Sequence, residues 1–292
     1  MIPVAQITQW RATAPWADDM QVEQDLILSR MIVEIFSDPF LREELAFRGG
    51  TALHKMFFSQ PARYSEDIDL VRTNNGGIKK IVDALRDIFE PWLGKPKTEQ
   101  TNRSFKIKFY FNPESSPATK TRIKIEINIR ETFSVLDRLL KNHSVQSDWF
   151  TGEAQVNTSY FEELIATKLR ALYERDKGRD VFDLWMALKQ KDFNVSETIR
   201  IFLKYMESEN KTITKYLFEK NIDLKLRDHS FLDDIGQLLS PELKKSHSSP
   251  FSTEGGTMLL TESGARLATE GWSLIDASEE IKSKILIHLP KP

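Results

Sequence analysis

Residues 47–71, FRGGTALHKMFFSQPARYSEDIDLV, place a Gly-Gly-Thr turn shortly before two alternating aspartates. The adjacent glycines and Thr51 precede an apolar run, which predicts a turn that enters a helix. Apolar residues farther along alternate with Asp67 and Asp69, which predicts a strand that carries both carboxylates on one face. The stretch therefore predicts a turn, a helix and a strand whose two acids point the same way.

Further helices and strands are predicted on both sides of this stretch. Apolar residues at helical spacing precede and follow it, and Pro39 divides the preceding run into two helices. Apolar and polar residues alternate in residues 103–111 and 121–129, which predicts two strands. Residues 112–120 between them favour turns, which predicts either an antiparallel pair or a long excursion of the chain.

The remainder of the chain has a different pattern. From Asn157 onward the apolar spacing is helical, except for residues 244–256, whose Ser, Gly and Pro content predicts a loop or linker. We therefore expect an α+β fold, with a small mixed sheet in a domain of residues 1–150 and a mostly helical domain in residues 151–292.

Composition excludes several classes of protein. The chain has 292 residues and no cysteine, which excludes disulfides and cysteine-ligated zinc. No apolar run approaches the roughly twenty residues that cross a membrane, and the N-terminus lacks a basic segment followed by an apolar one. We therefore expect a cytoplasmic protein with no membrane association.

Charge is unevenly distributed along the chain. The net charge of −2 does not predict nucleic-acid binding by the whole chain. Residues 95–131 differ, because they contain nine Lys or Arg and only four Glu. Such a run is typical of a solvated sheet face and also of a surface that meets phosphates, and charge alone favours the solvated face.

Asp67 and Asp69 are suited to hold a divalent metal. Neighbouring carboxylates repel unless they are solvated or share a cation, and Mg²⁺ is held by one or two carboxylates plus substrate phosphates. Gly49 and Gly50 allow a ligand to approach closely, and N–H groups at the following helix start bind phosphate, with the Thr51 hydroxyl as a further donor. Each feature alone also fits a solvated edge strand or an ordinary helix entry; together they outline a site for a nucleoside triphosphate.

Other charged residues extend this outline. Glu126 lies between isoleucines in a strand and is a candidate third acid for a two-metal site, although a cross-strand ion pair with a lysine fits nearly as well. Lys168 lies at the edge of a helix's apolar stripe, where it either extends to solvent or reaches a triphosphate. Asp180 and Asp183 share a helix face, where Asp180 also fits a capping role, and Arg179 belongs to a basic cluster suited to phosphate.

These motifs, taken in order, resemble the AbiEii/AbiGii-type nucleotidyltransferase toxins of bacterial type IV toxin–antitoxin systems, within the DNA polymerase β-like superfamily. The matching stretches are FRGGTALHK, RYSEDIDLV, IKIEINI and LIATKLRALYERDKGRDVFDLW, between residues 47 and 186. Gly-Gly-Thr stands where the superfamily usually has Gly-Ser, a departure that keeps a hydroxyl group.

The resemblance implies a nucleotidyltransferase-fold domain that moves a nucleotide from an NTP to an acceptor with Mg²⁺ as cofactor. The site residues it implies are Gly49, Gly50, Thr51, Arg63, Ser65, Lys168 and Arg179 for the nucleotide, Asp67, Asp69 and Glu126 for the metal, and Asp67, Asp69, Lys168 and Asp180 for catalysis. It also implies an RNA acceptor, such as the 3′ end of tRNA, and a cognate antitoxin as partner.

Two other functions remain open from the sequence. One is an enzyme of the same fold that attaches AMP to protein hydroxyls, and the other is a non-catalytic module that binds RNA or a protein partner. Ser65 adds a hypothesis about regulation, because a phosphate there would place about −1.5 to −2 charges beside Asp67 and exclude the triphosphate. An ordinary hydroxyl is the simpler interpretation of Ser65.

Overall fold

The chain divides into two compact units, residues 1–160 and residues 161–292. The computed structural model describes residues 2–246 and 273–291, so the predicted linker lies outside the described residues from 247 onward. The predicted α+β class is confirmed, since the first unit contains a mixed sheet with helices and the described second unit is helical.

The first unit alternates helices and strands along its length. Its helices are α1 (Val4–Trp10), α2 (Asp19–Ser37), α3 (Pro39–Glu44), α4 (Gly49–Met56) and α5 (Lys79–Leu93). Its strands are β1 (Leu45–Arg48), β2 (Asp67–Arg72), β3 (Lys97–Gln100), β4 (Ser104–Phe111), β5 (Thr121–Asn128), β6 (Arg138–Gln146) and β7 (Thr151–Ser159). The sequence-based domain boundary at residue 150 lies in the turn between β6 and β7.

One sheet contains these strands in the order β3-β4-β5-β2-β1-β7-β6. β2 is antiparallel to β1 and parallel to β5, while β4 and β5 form the antiparallel pair that was one of the two expectations. β2 is therefore an interior strand, and the interpretation of Asp67 and Asp69 as residues of an edge strand is wrong.

Helices cover one face of this sheet. Ile68 and Leu70 of β2 are buried, and α2 packs against β7, β6 and β2. α5 packs against β4 through Phe89 and Phe109, whose ring centroids are 5.7 Å apart. Because side chains alternate along a strand, the neighbours of these buried residues face the opposite side, and this is the side that carries Asp67 and Asp69.

The second unit is helical throughout its described part. Its helices are α6 (Phe161–Glu174), α7 (Gly178–Leu188), α8 (Val195–Ser208), α9 (Lys215–Lys225), α10 (His229–Asp233), α11 (Pro241–Ser246) and α12 (Leu274–Lys284), followed by a short 3₁₀ turn (Leu286–His288). α6 packs against α8 and α7, and α7 packs against α12.

The C-terminal end of α6 is held by a buried lysine. Lys225 donates through Nζ to the backbone carbonyls of Tyr173 at 3.1 Å and Arg175 at 3.0 Å, and also to that of Leu172. A cation at this end satisfies carbonyls that have no partner within the helix. None of the helices described is long and apolar enough to cross a membrane.

Candidate active site

The turn between β1 and α4 lies directly against the β2 acids. Gly49 has φ of +80°, a conformation that L side chains rarely adopt. A Cβ placed on Gly49 would lie 2.3 Å from Oδ2 of Asp69, so only glycine leaves room for that carboxylate. Gly50 is buried in the first turn of α4, where backbone N–H groups have no partner within the helix.

Thr51 connects this turn to the start of β2. Its hydroxyl donates to the backbone carbonyl of Asp67 at 2.5 Å and lies 2.7 Å from the Ser65 hydroxyl. Thr51 is fully buried, whereas Ser65 is half-buried. The Thr51 hydroxyl proton is thus used inside the protein, which leaves the backbone N–H groups of the turn as the donors for a phosphate.

The register of β2 with β5 brings three acids and one lysine onto the same face of the sheet. Asp67 pairs with Lys124, and Asp69 pairs with Glu126. Lys124 Nζ lies 3.0 Å from Asp67 Oδ2 and 2.9 Å from Glu126 Oε2. Ser104 of β4 donates to the other carboxylate oxygen of Glu126 at 2.9 Å. Lys106 of β4 is the cross-strand neighbour of Glu126, and its Nζ lies 3.8 Å from Glu126 Oε1. Glu126 therefore makes the cross-strand lysine ion pair that was one of its two interpretations, and it does so beside Asp67 and Asp69.

This arrangement shifts the pKa values of Asp67 and Glu126 in opposite directions. Burial raises the pKa of the Asp67 carboxyl, and the charge of Lys124 offsets only part of that effect. Burial also opposes ionisation of Glu126, but the hydrogen bond and charge of Lys124 outweigh it and lower the pKa of Glu126. Burial opposes the charge on Lys124 too, and the charges of Asp67 and Glu126 outweigh it and raise the pKa of Lys124.

The Asp67 and Asp69 pair fits a magnesium ion by its donor chemistry. No group of three or more acidic or histidine side chains among residues 2–246 and 273–291 is arranged to hold a metal by itself. Mg²⁺ seldom uses such a complete protein cage, because it retains water and binds one or two carboxylates together with substrate phosphates. The pair satisfies that requirement, and Glu126 as a third ligand stays a prediction.

Arg63, predicted to contact the nucleotide, is buried in the loop before β2. Its Nη1 donates to the backbone carbonyl of Tyr64 at 3.2 Å. Arg63, Thr51 and Ser65 line the same cavity of about 190 Å³ in the first unit.

The charged residues predicted in the second unit form a buried cluster. Lys168 Nζ lies 3.0 Å from Asp180 Oδ1 and 2.7 Å from Asp183 Oδ2. Both aspartates are fully buried and Lys168 is 5% exposed, so the lysine does not extend to solvent. Burial opposes ionisation of Asp180, yet the charge of Lys168 and hydrogen bonds from Arg175 outweigh it and lower the pKa of Asp180.

Arg175 and Gly178 also shape this cluster; Arg175 was predicted as a member of the basic cluster suited to phosphate, and Gly178 was not predicted. Arg175 donates to both oxygens of Asp180, through Nε at 2.7 Å and Nη2 at 2.9 Å. A Cβ on Gly178 would lie 2.2 Å from the backbone oxygen of Phe231, so α7 can begin here only with glycine. Arg179 contacts Asp234, which accepts from its backbone N–H at 3.2 Å.

The predicted residues thus group within each unit. The first unit brings together Gly49, Gly50, Thr51, Ser65, Asp67, Asp69 and Glu126, and the second brings together Lys168, Asp180 and Asp183. Lys124 was not among the predicted site residues, and its contacts with Asp67 and Glu126 were missed. Its position two residues before Glu126 was the available signal, because residues at that spacing share a strand face.

Comparison with solved structures shows the fold. The nucleotidyltransferase toxin MenT4 from Mycobacterium tuberculosis H37Rv is similar with a TM-score of 0.61 and 17% identity, over 82% of this chain and 84% of that chain. JHP933 from Helicobacter pylori is similar with a TM-score of 0.44 and 17% identity, over 72% of this chain and 90% of that chain. No curated protein sequence matches.

One protein-family match covers more than half of the chain. Residues 30–252 match the family described as nucleotidyl transferase AbiEii toxin of type IV toxin–antitoxin systems. This match includes the turn at Gly49, the acids of β2 and β5, and the Lys168 cluster. The chain belongs to the AbiEii nucleotidyltransferase toxin family.

Proposed function

We propose that this toxin transfers a nucleotide from an NTP to the 3′ end of an RNA, with tRNA as the acceptor, and so blocks translation. The reaction uses Mg²⁺ and takes place in the cytoplasm, and a cognate antitoxin restrains it. The family match supports a toxin that is a nucleotidyltransferase, and the geometry of the first unit supports the finer statements.

The turn and the acids have separate roles in this proposal. The backbone N–H groups that follow Gly49 bind the triphosphate, since the start of α4 presents donors without helical partners. Bound Mg²⁺ would be held by the Asp67 and Asp69 carboxylates and would neutralise charge on the phosphates. Thr51 keeps the start of β2 against the turn through its bond to the Asp67 carbonyl.

The transfer forms one bond and breaks one bond. The acceptor hydroxyl oxygen bonds to the α-phosphorus, the bond between that phosphorus and the β-bridging oxygen breaks, and pyrophosphate leaves. The acceptor proton passes to Asp69, because Glu126 is already bound by Lys124 and Ser104 and its pKa is lowered, which makes it a weak base. Alignment and charge stabilisation supply most of the rate.

We also propose that Lys168 and Asp180 are required for transfer, and Arg179 for nucleotide binding. Lys168 contacts two buried aspartates, so its charge also stabilises the second unit. A test of catalysis at Lys168 must therefore separate activity from stability.

The observation that supports an RNA acceptor is a group of basic residues on the sheet face beside the acids. We define the basic face as Lys97, Lys106, Lys108, Tyr110, Arg122 and Lys124. The registers of β3, β4 and β5 place these residues on the side of the sheet that carries Asp67 and Asp69. Tyr110 lies among cations, with Lys97 Nζ at 5.6 Å and Lys120 Nζ at 5.2 Å from its ring centroid.

This composition matches what single-stranded RNA requires. Cations bind the backbone phosphates, and an accessible aromatic ring, here that of the half-buried Tyr110, provides a surface on which a base stacks. Glu99 and Glu126 are the acids interspersed here, and each contacts a lysine of the basic face. The face therefore favours a polyanionic acceptor over a protein hydroxyl.

The proposal is tested by varying the nucleotide donor and the acceptor independently of each other. The purified chain is incubated with each of the four α-³²P-labelled NTPs, with Mg²⁺, and with total tRNA or total protein. We expect label on tRNA that a 3′-exonuclease removes. Label on protein alone would establish the protein-modifying alternative, and label on neither acceptor with any NTP would contradict the proposal.

A further inference from the structure

A cavity of about 190 Å³ lies in the first unit beside the proposed phosphate turn. Thr51 and Ser65 line it at the turn, and Trp10, Trp16, Phe58 and His143 provide ring surfaces elsewhere in its wall. Its size exceeds the roughly 150 Å³ of a cavity known to hold benzene and falls below the roughly 300 Å³ at which sites for drug-sized ligands begin. The cavity therefore suits one planar ring with its substituents.

Asp25 is a buried carboxylate of the wall, and other side chains of the wall donate hydrogen bonds to it. Asp25 accepts from Trp10 Nε1 at 2.9 Å, from Trp16 Nε1 at 3.2 Å and from Lys55 Nζ at 2.9 Å. These bonds fix both indole rings in place and neutralise the buried carboxylate. The aromatic wall is thus rigid before any ligand arrives.

His143 lies in this wall with one ring nitrogen unsatisfied by the described residues. Its Nε2 is buried and has no hydrogen-bond partner among the described residues, while its ring is bonded to the backbone carbonyl of Ser29. Burial lowers the pKa of His143 to about 4, so the imidazole is neutral at physiological pH. Because Nε2 has no partner within the described chain, the nitrogen that donates to the Ser29 carbonyl is Nδ1. A neutral imidazole carries a proton on only one nitrogen, so Nε2 is a hydrogen-bond acceptor that lacks a donor.

We propose that this cavity binds a nucleobase, which lies against Trp10 and Trp16 and donates an N–H to His143 Nε2. Every RNA base presents N–H donors on its edge, which fit the acceptor at His143, and a π-face for stacking, which fits the aromatic wall. The choice of a base over another planar ring rests on the family's nucleotidyltransferase activity and on the proposed function. The base comes from the NTP, from the RNA end or from a free nucleoside.

Direct binding tests this without any turnover. Each of the four nucleosides, radiolabelled, is titrated against the full chain by equilibrium dialysis. We expect saturable binding of at least one nucleoside. Ser59, an exposed residue of the cavity wall, provides a blocking variant, Ser59→Trp, and the exposed neighbour Gln60, outside the wall, provides the matched control Gln60→Trp.

We expect Ser59→Trp to weaken binding at least tenfold and Gln60→Trp to leave it unchanged. His143→Phe keeps a ring but removes the acceptor, and it should weaken binding by about three- to tenfold, the equivalent of one hydrogen bond. The same change at the exposed His288, His288→Phe, should have no effect. Competition by unlabelled NTP, or by an RNA oligonucleotide with and without its 3′-terminal base, identifies the source of the base.

Absence of saturable binding by all four nucleosides would overturn the inference, as would binding that Ser59→Trp does not weaken. Because no transfer is measured, these results are independent of the labelled-NTP experiment. Transfer to tRNA together with no nucleoside binding would refute the cavity's role alone. Nucleoside binding without transfer would refute the proposed function alone.

Discussion

Gly49 and Asp69 are packed so closely that no side chain fits between them. A Cβ on Gly49 would lie 2.3 Å from Oδ2 and 2.9 Å from Cβ of Asp69. The glycine turn and the acidic strand therefore form one rigid unit, in which the position of the Asp69 carboxylate depends on the absence of a methyl group at residue 49.

The first prediction is that Gly49→Ala displaces Asp69 and lowers transfer about 100-fold, since an error of about 1 Å in a reacting group has that effect. Gly94→Ala is the matched control, because Gly94 also has a positive φ, +75°, but nothing lies within 4 Å of the point that its Cβ would occupy. Both variants should lose stability through the strain of an L residue at positive φ, Gly49→Ala more because of its clash with Asp69, and only Gly49→Ala should lose activity while still folded. Equal activity of the two variants would show that the contact is not important for transfer.

The second prediction concerns Lys124, which lies between Asp67 and Glu126. In Lys124→Met both carboxylates lose a neighbouring positive charge, so their pKa values rise and they become protonated at higher pH. We expect the acidic limb of the pH–rate profile, measured at saturating substrate, to move to higher pH.

Lys108→Met is the control for Lys124→Met. Lys108 is the cross-strand neighbour of Lys124, but it is paired with Glu99 at 2.7 Å. The same loss of charge should leave the acidic limb in place. An unchanged limb in Lys124→Met would mean that neither Asp67 nor Glu126 must be ionised for transfer.

The third prediction separates the two roles of Lys168. Lys168→Met removes the cation that contacts buried Asp180 and Asp183, and we expect a loss of about 3 kcal/mol in unfolding free energy. The double variant Lys168→Met/Asp183→Asn removes one charge of each sign and should recover most of that stability. Transfer should stay abolished in the double variant, and restored activity would show that Lys168 serves only the fold.

The fourth prediction uses the salt dependence of RNA binding. Each phosphate contact adds about 0.7 to the slope of log K against log salt for a single strand. Lys106→Met/Lys108→Met should therefore weaken tRNA binding and reduce the slope by about 1 to 2. Lys79→Met/Lys80→Met, two exposed positions on α5 in the same unit, should leave the slope unchanged. Equal slopes in both double variants would remove the basic face from the RNA site.

The fifth prediction follows from the neutral state of His143. Its pKa is lowered from 6.5 to about 4 in the folded chain, so between these values the unfolded chain binds the extra proton. Stability should therefore fall as pH decreases through this window, by at most about 3 kcal/mol. Denaturation of the wild type and His143→Phe from pH 7 to pH 4 should show a shallower loss in the variant, and parallel curves would contradict the assignment.

Local patterns in the sequence correctly predicted the structural features that depend only on neighbouring residues, such as strand faces and helix ends. The alternation around Asp67 and Asp69 was sufficient to place both carboxylates on one strand face, because that geometry follows from the strand itself. Pro39 ended one helix and began another for the same reason, since its ring cannot continue the preceding helix.

Several strands were missed because their pattern is weak. β1 is short and almost continuously buried, so its sequence resembles the end of the preceding helical pattern. Every residue of β3 is exposed, so β3 has no apolar alternation. β6 and β7 alternate mainly between polar residues, so the apolar period that identifies a strand is faint.

Contacts between distant residues could not be predicted. Lys124 meets Asp67 only because β5 pairs with β2 in one register, and a one-residue slip would turn Lys124 to the other face. The spacing of Lys168 placed it at the edge of an apolar stripe, but its burial depends on two aspartates that α7 brings against it.

The central claim is that Asp67 and Asp69 catalyse magnesium-dependent nucleotidyl transfer. The most direct measurement compares transfer of label from α-³²P-NTP to tRNA by the wild type, Asp67→Asn and Asp69→Asn, each with Mg²⁺ and with EDTA. We predict transfer by the wild type with Mg²⁺, loss of transfer with EDTA, and a reduction of at least about 1,000-fold in both folded variants. Transfer at wild-type rate by either variant, or undiminished transfer in EDTA, would contradict the account.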